Sequence, residues 1–147
     1  MELDSVKEDE ADMRRISPWA LWTLNFQVMT SLLADVAPRL RALRLEVKEF
    51  LLLSKLDEHP NPADLARALV TPKPSVTFMV KRMEALGYLR RELQPEDLRR
   101  FRLTLTPSGR SAMESGRQIF DQEFGRRLSR LTQAQRVELM RIFERLA

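Results

Sequence analysis

The sequence predicts a mainly α-helical chain interrupted once, near its middle, by a short β-hairpin. Three observations predict it. Apolar residues recur at three- and four-residue spacing through most of residues 18–58 and again in 74–86, 107–128 and 132–146. Only residues 88–105 show alternation, and the turn Gln94-Pro95-Glu96-Asp97 divides them into two strands. Just before them, a short helix and an amphipathic one are separated only by the breaker Thr71-Pro72-Lys73-Pro74. A short helix, a tight turn, a second helix and then a hairpin make a winged helix-turn-helix.

Each element has a local reason. Residues 1–15 are acidic, polar and without apolar period, and read as a flexible tail. Ser17-Pro18 is an N-cap followed by proline at the first helical position, opening a long helix to about Val36. Trp19, Trp22, Phe26, Met29 and Leu33 form one stripe on it, close to a coiled-coil seam. Two tryptophans on one stripe imply burial in a core or a subunit interface, with a ligand pocket as the third reading. Pro38 reads as the start of a second helix, to about Glu58, with Leu43, Val47, Phe50, Leu51 and Ser54 in period. Leu52, Leu53 and Leu56 make it apolar on several sides, as a central helix would be.

His59-Pro60 stops that helix, and Asn61 caps the next, with Pro62 and Asp64 in its first turn. Leu65, Ala66 and Leu69 are its apolar side. In the following helix Val76, Met79, Val80, Met83 and Leu86 point inward, and Gly87 stands where a left-handed C-cap belongs. The hairpin strands read as 88–93 and 101–105, with Phe101, Leu103 and Leu105 on one face. Thr106-Pro107 opens a helix to about Leu128, with Met113, Gly116, Phe120 and Phe124 inward and Gly109 tolerable in its first turn. Thr132 to Gln135 has capping-box spacing, and Val137, Met140, Phe143 and Leu146 line a buried face on the last helix. The helices at the two ends read as a dimerisation lobe. The expected division is a tail at 1–15 and one domain at 16–147, with dimerisation helices at 16–37 and 107–147 around a winged unit at 38–106.

Composition excludes much else. The 147 residues suit one domain, and the 44% of hydrophobic residues suit a folded core. No cysteine is present, which removes disulfides, thiolate nucleophiles and cysteine-ligated zinc. His59 is the only histidine and reads as a helix-end residue. No paired catalytic constellation, nucleotide loop or metal spacing is legible, so neither an enzyme nor a cofactor is expected. No run is apolar enough for a membrane span and no secretory start is written, so the expected place is the cytoplasm.

The net charge of +4 is unevenly placed. Residues 1–15 hold six acids against three bases, whereas residues 71–110 hold nine bases against four acids. A basic cluster centred on a helix-turn-helix points to double-stranded DNA. On the second helix the candidate contacts are Lys73, Ser75, Thr77, Phe78, Lys81 and Arg82. Such a helix can offer Ser75, Thr77 and Lys81 to base edges or phosphates, and its first turn offers free N–H groups. On the wing the candidates are Arg90, Arg91, Asp97, Arg99 and Arg100, since arginine suits the narrow, negative minor groove. Asp97 is placed to hold and aim the Arg99 guanidinium. Trp22, Phe26 and Phe50 are the candidate effector pocket, where aromatics are dense.

Three stretches resemble the MarR family (multiple antibiotic resistance regulators). Lys73-Pro74-Ser75-Val76-Thr77, followed by Val80 through Leu89, is similar to the family's recognition helix and its exit. Asp97-Leu98-Arg99 resembles the Asp-x-Arg signature of the wing, and Leu105-Thr106-Pro107-Ser108-Gly109 the Leu-Thr-x-x-Gly that closes it. The resemblance covers about residues 16–147. It implies a homodimer with intertwined terminal helices, a palindromic operator, and repression released by a small lipophilic or phenolic effector. Phe78 departs from the pattern, since relatives often carry a polar or basic residue there. Its two readings are contact with a thymine methyl and packing against the wing, of which packing is the expectation. The alternative to a DNA-binding regulator is a winged-helix protein–protein interaction module without specific DNA binding.

Overall fold

The structure is a computed structural model that describes residues 16–147, so the acidic tail expected over 1–15 lies outside it. Six helices and one hairpin follow in the order α1 (Pro18–Arg41), α2 (Val47–Lys55), α3 (Pro62–Ala68), α4 (Lys73–Ala85), β1 (Leu89–Gln94), β2 (Asp97–Leu105), α5 (Pro107–Leu128) and α6 (Gln133–Leu146). Two compact units are distinguished, the described residues up to Asp35 and residues 36–147.

In the first unit the Ser17 hydroxyl accepts from the Ala20 N–H at 3.1 Å and opens α1 as the sequence implies. The Trp22 and Phe26 rings lie 5.9 Å apart. Burial of this stripe in the chain's own core is overturned, because Trp19 is 74% exposed and Trp22, Phe26 and Met29 are exposed with it.

In the second unit Pro38 does not open a helix. It lies inside α1, which runs on to Arg41. Residues on both sides of it are held by tertiary contacts that outweigh one lost backbone bond. Val36 and Leu40 are fully buried, and Arg39 reaches Glu123 on α5 at 2.9 Å. The break comes later, where Arg44 takes a left-handed φ of 60°. Helix α2 then starts with a reciprocal capping box between Glu46 and Glu49. Leu52 and Leu53, off the expected stripe, are its most buried residues, with Leu56 buried at its C-cap, and Phe50 stacks on Phe120 with ring centroids 5.0 Å apart. Gly116 admits the Phe50 ring, since a Cβ there would collide with it.

Asn61 caps α3 by accepting from the Ala63 N–H at 2.9 Å, and Gly87 ends α4 with a φ of 76°. The hairpin is antiparallel, pairing Leu89 with Leu105 and Gln94 with Asp97 across the Pro95-Glu96 turn. It is longer than predicted, because β2 begins at Asp97 rather than Phe101. Backbone and side-chain bonds close the base of the wing and tie it to its unit. The Leu103 N–H donates to the Pro60 carbonyl at 2.9 Å, the Thr106 N–H donates to Tyr88 at 3.1 Å, and the Tyr88 hydroxyl donates to the Leu43 carbonyl at 2.7 Å. Gly109 is more than tolerable. Any Cβ there would strike the Tyr88 carbonyl, so the close approach of α5 to the wing requires glycine.

Two helix faces differ from expectation. On α5 the buried line is Ala112, Gly116, Ile119 and Glu123, with Met113, Phe120 and Phe124 only half-buried. Helix α6 buries nothing. Its expected inward residues Val137, Met140, Phe143 and Leu146 are all exposed, Leu146 by 77%. The periodicity was right about an apolar face, but no surface of the described chain covers it.

Candidate nucleic-acid interface

Helix α4 is amphipathic in the sense the spacing implied. Val76, Met79, Val80 and Met83 are buried, and Lys73, Ser75, Thr77, Phe78 and Lys81 are exposed on the other side. The first turn of α4 offers an anion less than the sequence implied: Pro74 has no N–H and the Ser75 N–H donates to the Pro72 carbonyl at 3.0 Å, so the Lys73 N–H alone is left over. The Thr77 hydroxyl donates to the Lys73 carbonyl at 3.0 Å, which leaves its lone pairs to accept from a base. Lys73 and Lys81 form no ion pair among the described residues.

Arg82 is different. Its Nε donates to Glu49 Oε1 at 2.7 Å, and a terminal nitrogen donates both to Glu49 Oε2 at 3.0 Å and to the Arg44 carbonyl at 2.9 Å. Glu49 is 4% exposed and is also the reciprocal partner in the α2 capping box, accepting from the Glu46 N–H at 2.8 Å. The guanidinium therefore joins α4 to the start of α2 and closes the left-handed turn at Arg44. Sequence reasoning counted Arg82 among the groove-facing residues and missed Glu49. The Glu46-x-x-Glu49 spacing was a visible signal for the cap, though not for the partner 33 residues away.

Phe78 does not pack against the wing, contrary to expectation. It is 69% exposed, and it is in no ring contact among the described residues. The aromatic that does pack in the wing is Phe101, with the Arg91 guanidinium 4.7 Å above its ring.

The wing arginines sort into two groups. Arg90 pairs with Glu92 at 3.0 Å, Arg91 with Glu84 at 3.1 Å, and Arg100 with Asp97 at 3.8 Å. Arg99 and Arg102 form no side-chain ion pair among the described residues. Asp97 does not hold the Arg99 guanidinium. Its Oδ1 accepts from the Arg99 backbone N–H at 3.0 Å, the local turn bond that a short carboxylate makes with the chain two residues on. The side chain of Arg99 is left free of the fold. Arg102 belongs with it, and alternation along β2 could have found it, since Arg102 lies between Phe101 and Leu103 on the opposite face.

Of the proposed effector residues, Trp22 and Phe26 lie in the first unit and are exposed, whereas Phe50 is buried in the second against Phe120.

A winged helix-turn-helix closed in this way matches known proteins. The MarR family profile matches residues 45–100, from the α2 cap to the wing. The HTH-type transcriptional repressor Rv2887 of Mycobacterium tuberculosis is 32% identical over 126 residues, which cover 84% of this chain and 90% of that one. The chain belongs to the MarR family. The crystal structure of Rv2887 in complex with DNA aligns at a TM-score of 0.72 and 27% identity, covering 86% of this chain and 97% of that one. Rv2887 in complex with salicylic acid aligns at 0.71 and 28%, covering 84% and 93%. Apo MarR from Escherichia coli, at 0.74 and 22% identity over 89% of this chain and 98% of that one, shares the fold. Within this MarR-family frame α4 is the recognition helix and β1–β2 the wing.

Proposed function

We propose that the chain is a sequence-specific DNA-binding transcriptional repressor, which holds a palindromic operator as a homodimer and releases it on binding a small lipophilic or phenolic effector. The observation that carries the reading is that Lys73 and Lys81 on α4 and Arg99 and Arg102 on the wing, all exposed, form no ion pair among the described residues. Arg82, by contrast, is spent on the buried carboxylate of Glu49. In this reading Ser75, Thr77 and Lys81 meet base edges, Lys73 meets phosphate with its ammonium and backbone N–H, and Arg99 enters the minor groove. Rv2887, known in complex with DNA and with salicylic acid, supports both the polyanion and the effector class.

The homodimer is supported by apolar faces on α1 and α6 that the described chain leaves bare. Trp22 and Phe26 remain the proposed effector residues. Phe50 fills a packed position, so its part would require the Phe120 ring to move. An effector acts only by binding the DNA-competent and DNA-incompetent states unequally. A regulator of this kind works in the cytoplasm, and among the described residues no helix is long and apolar enough to cross a membrane.

Three experiments test the reading. Titration of the full chain against genomic fragments and random duplex should give a preferred fragment. Equal binding to all duplexes, or none, would leave a protein-interaction module. Sedimentation at micromolar concentration should give twice the 17.2 kDa chain mass, and a folded monomer would remove the dimer. Tryptophan fluorescence with aromatic acids, read beside DNA release, tests the effector.

A further inference from the structure

The exposed face of α4 is centred on an aromatic ring. Pro74 and Ser75 lie four and three residues before Phe78, and Lys81 and Arg82 three and four after it, so all are its neighbours on one helix face. The buried stripe of Val76, Met79, Val80 and Met83 is on the other side. At 69% exposure the ring has no packing role in this chain. Arg82, the neighbour best able to cover it by a cation–π contact, is turned away to Glu49 and the Arg44 carbonyl.

The surroundings of the ring select its partner. No acid lies between Lys73 and Met83, and beside the ring stand the small apolar Pro74, the Ser75 and Thr77 hydroxyls and one ammonium, with no second large apolar side chain exposed on that face. A protein or lipid surface would meet a broad apolar patch. What fits an isolated ring amid cations and hydroxyls is a surface of phosphates and hydrogen-bonding edges with an isolated apolar group. The DNA major groove is such a surface, and its apolar group is the thymine 5-methyl.

Resting on the DNA-binding reading above, we propose that Phe78 is a specificity-determining residue that reads one thymine in each operator half-site by contact with its 5-methyl group. The contact forms no hydrogen bond. It discriminates thymine from cytosine and from uracil by the methyl alone, and it explains why a bulky apolar residue stands at the centre of a polar face.

The test removes that methyl and nothing else. An operator is selected from randomised duplexes with the full wild-type chain, and each thymine is then replaced singly by deoxyuridine. One position in each half-site should lose about fourfold in affinity, the value of one buried methyl-sized group. Phe78→Ala should bind the thymine and uracil duplexes alike, and Phe78→Leu should keep part of the difference. Both variants should melt as the wild type does, because the ring is exposed. Specific binding with no uracil-sensitive position would overturn this inference alone. So would a sensitive position that stays sensitive in Phe78→Ala. Selection of no preferred sequence would overturn the DNA-binding reading along with it.

Discussion

On the recognition helix one basic side chain, Arg82, is turned back into the fold and bonded twice to a buried carboxylate on another helix. On the wing the paired arginines meet exposed carboxylates, and two of the three pairs stay within the hairpin. The two regions carry the same residue types and spend them differently. A charge pair with one buried member fixes position, because separating it leaves an ion in the core. Exposed pairs are worth little and break easily. Helix α4 is therefore held in one place, which the proposed reading of base edges requires. The wing's ion pairs lie at the surface, so its arginines can exchange partners at little cost.

The largest effect should come from Arg82→Ala. It strands Glu49 and should lower stability by about 2–4 kcal/mol, read by urea unfolding. It removes no phosphate contact, so the salt dependence of DNA binding should keep its wild-type slope. A slope lower by about one would place Arg82 on DNA and erase the contrast. Next is Arg99→Ala, which should weaken binding to all duplexes by roughly 1–3 kcal/mol and lower the salt slope by about one, without moving the melting temperature. Unchanged affinity would mean that the wing does not reach DNA.

Val70 sharpens the helix side. It sits in the turn before α4 with a φ of 48° and is 92% exposed, a strained conformation for a β-branched residue. Val70→Gly should relieve that strain and stabilise the protein by about 0.5–1 kcal/mol after glycine's own entropy cost. A destabilised variant would show that the valine side chain is needed there. The smallest effect is expected from Asp97→Ala. Asp97 holds the backbone of Arg99 and not its guanidinium, so DNA binding should weaken by less than about 0.5 kcal/mol. A loss as large as that of Arg99→Ala would mean that the carboxylate aims the arginine when DNA is bound.

Much of this architecture was legible because its signals are local. The caps at Ser17, Asn61, Thr106 and Thr132, the stop at Gly87 and the turn at Pro95-Glu96 all act within four residues, and the structure has each of them. What was misread depends on distant residues. Pro38 is a helix breaker by itself, yet Val36, Leu40 and the Arg39–Glu123 pair carry α1 through it. Phe78 and Phe101 are both aromatics in the basic stretch, and nothing local says that only the second finds a packing partner.

By itself, then, the sequence determined the order and type of the elements, the basic character of α4 and the hairpin, and the apolar faces at both ends. Those properties follow from backbone preference and side-chain periodicity, which neighbouring residues decide. Tertiary structure alone decided which cations are available. Arg82 and Lys81 are adjacent and both cationic, but a carboxylate 33 residues earlier is bonded to one and not the other. Lys81 is left to the solvent, Arg82 is committed to the core, and the exposed face between them is left to Phe78.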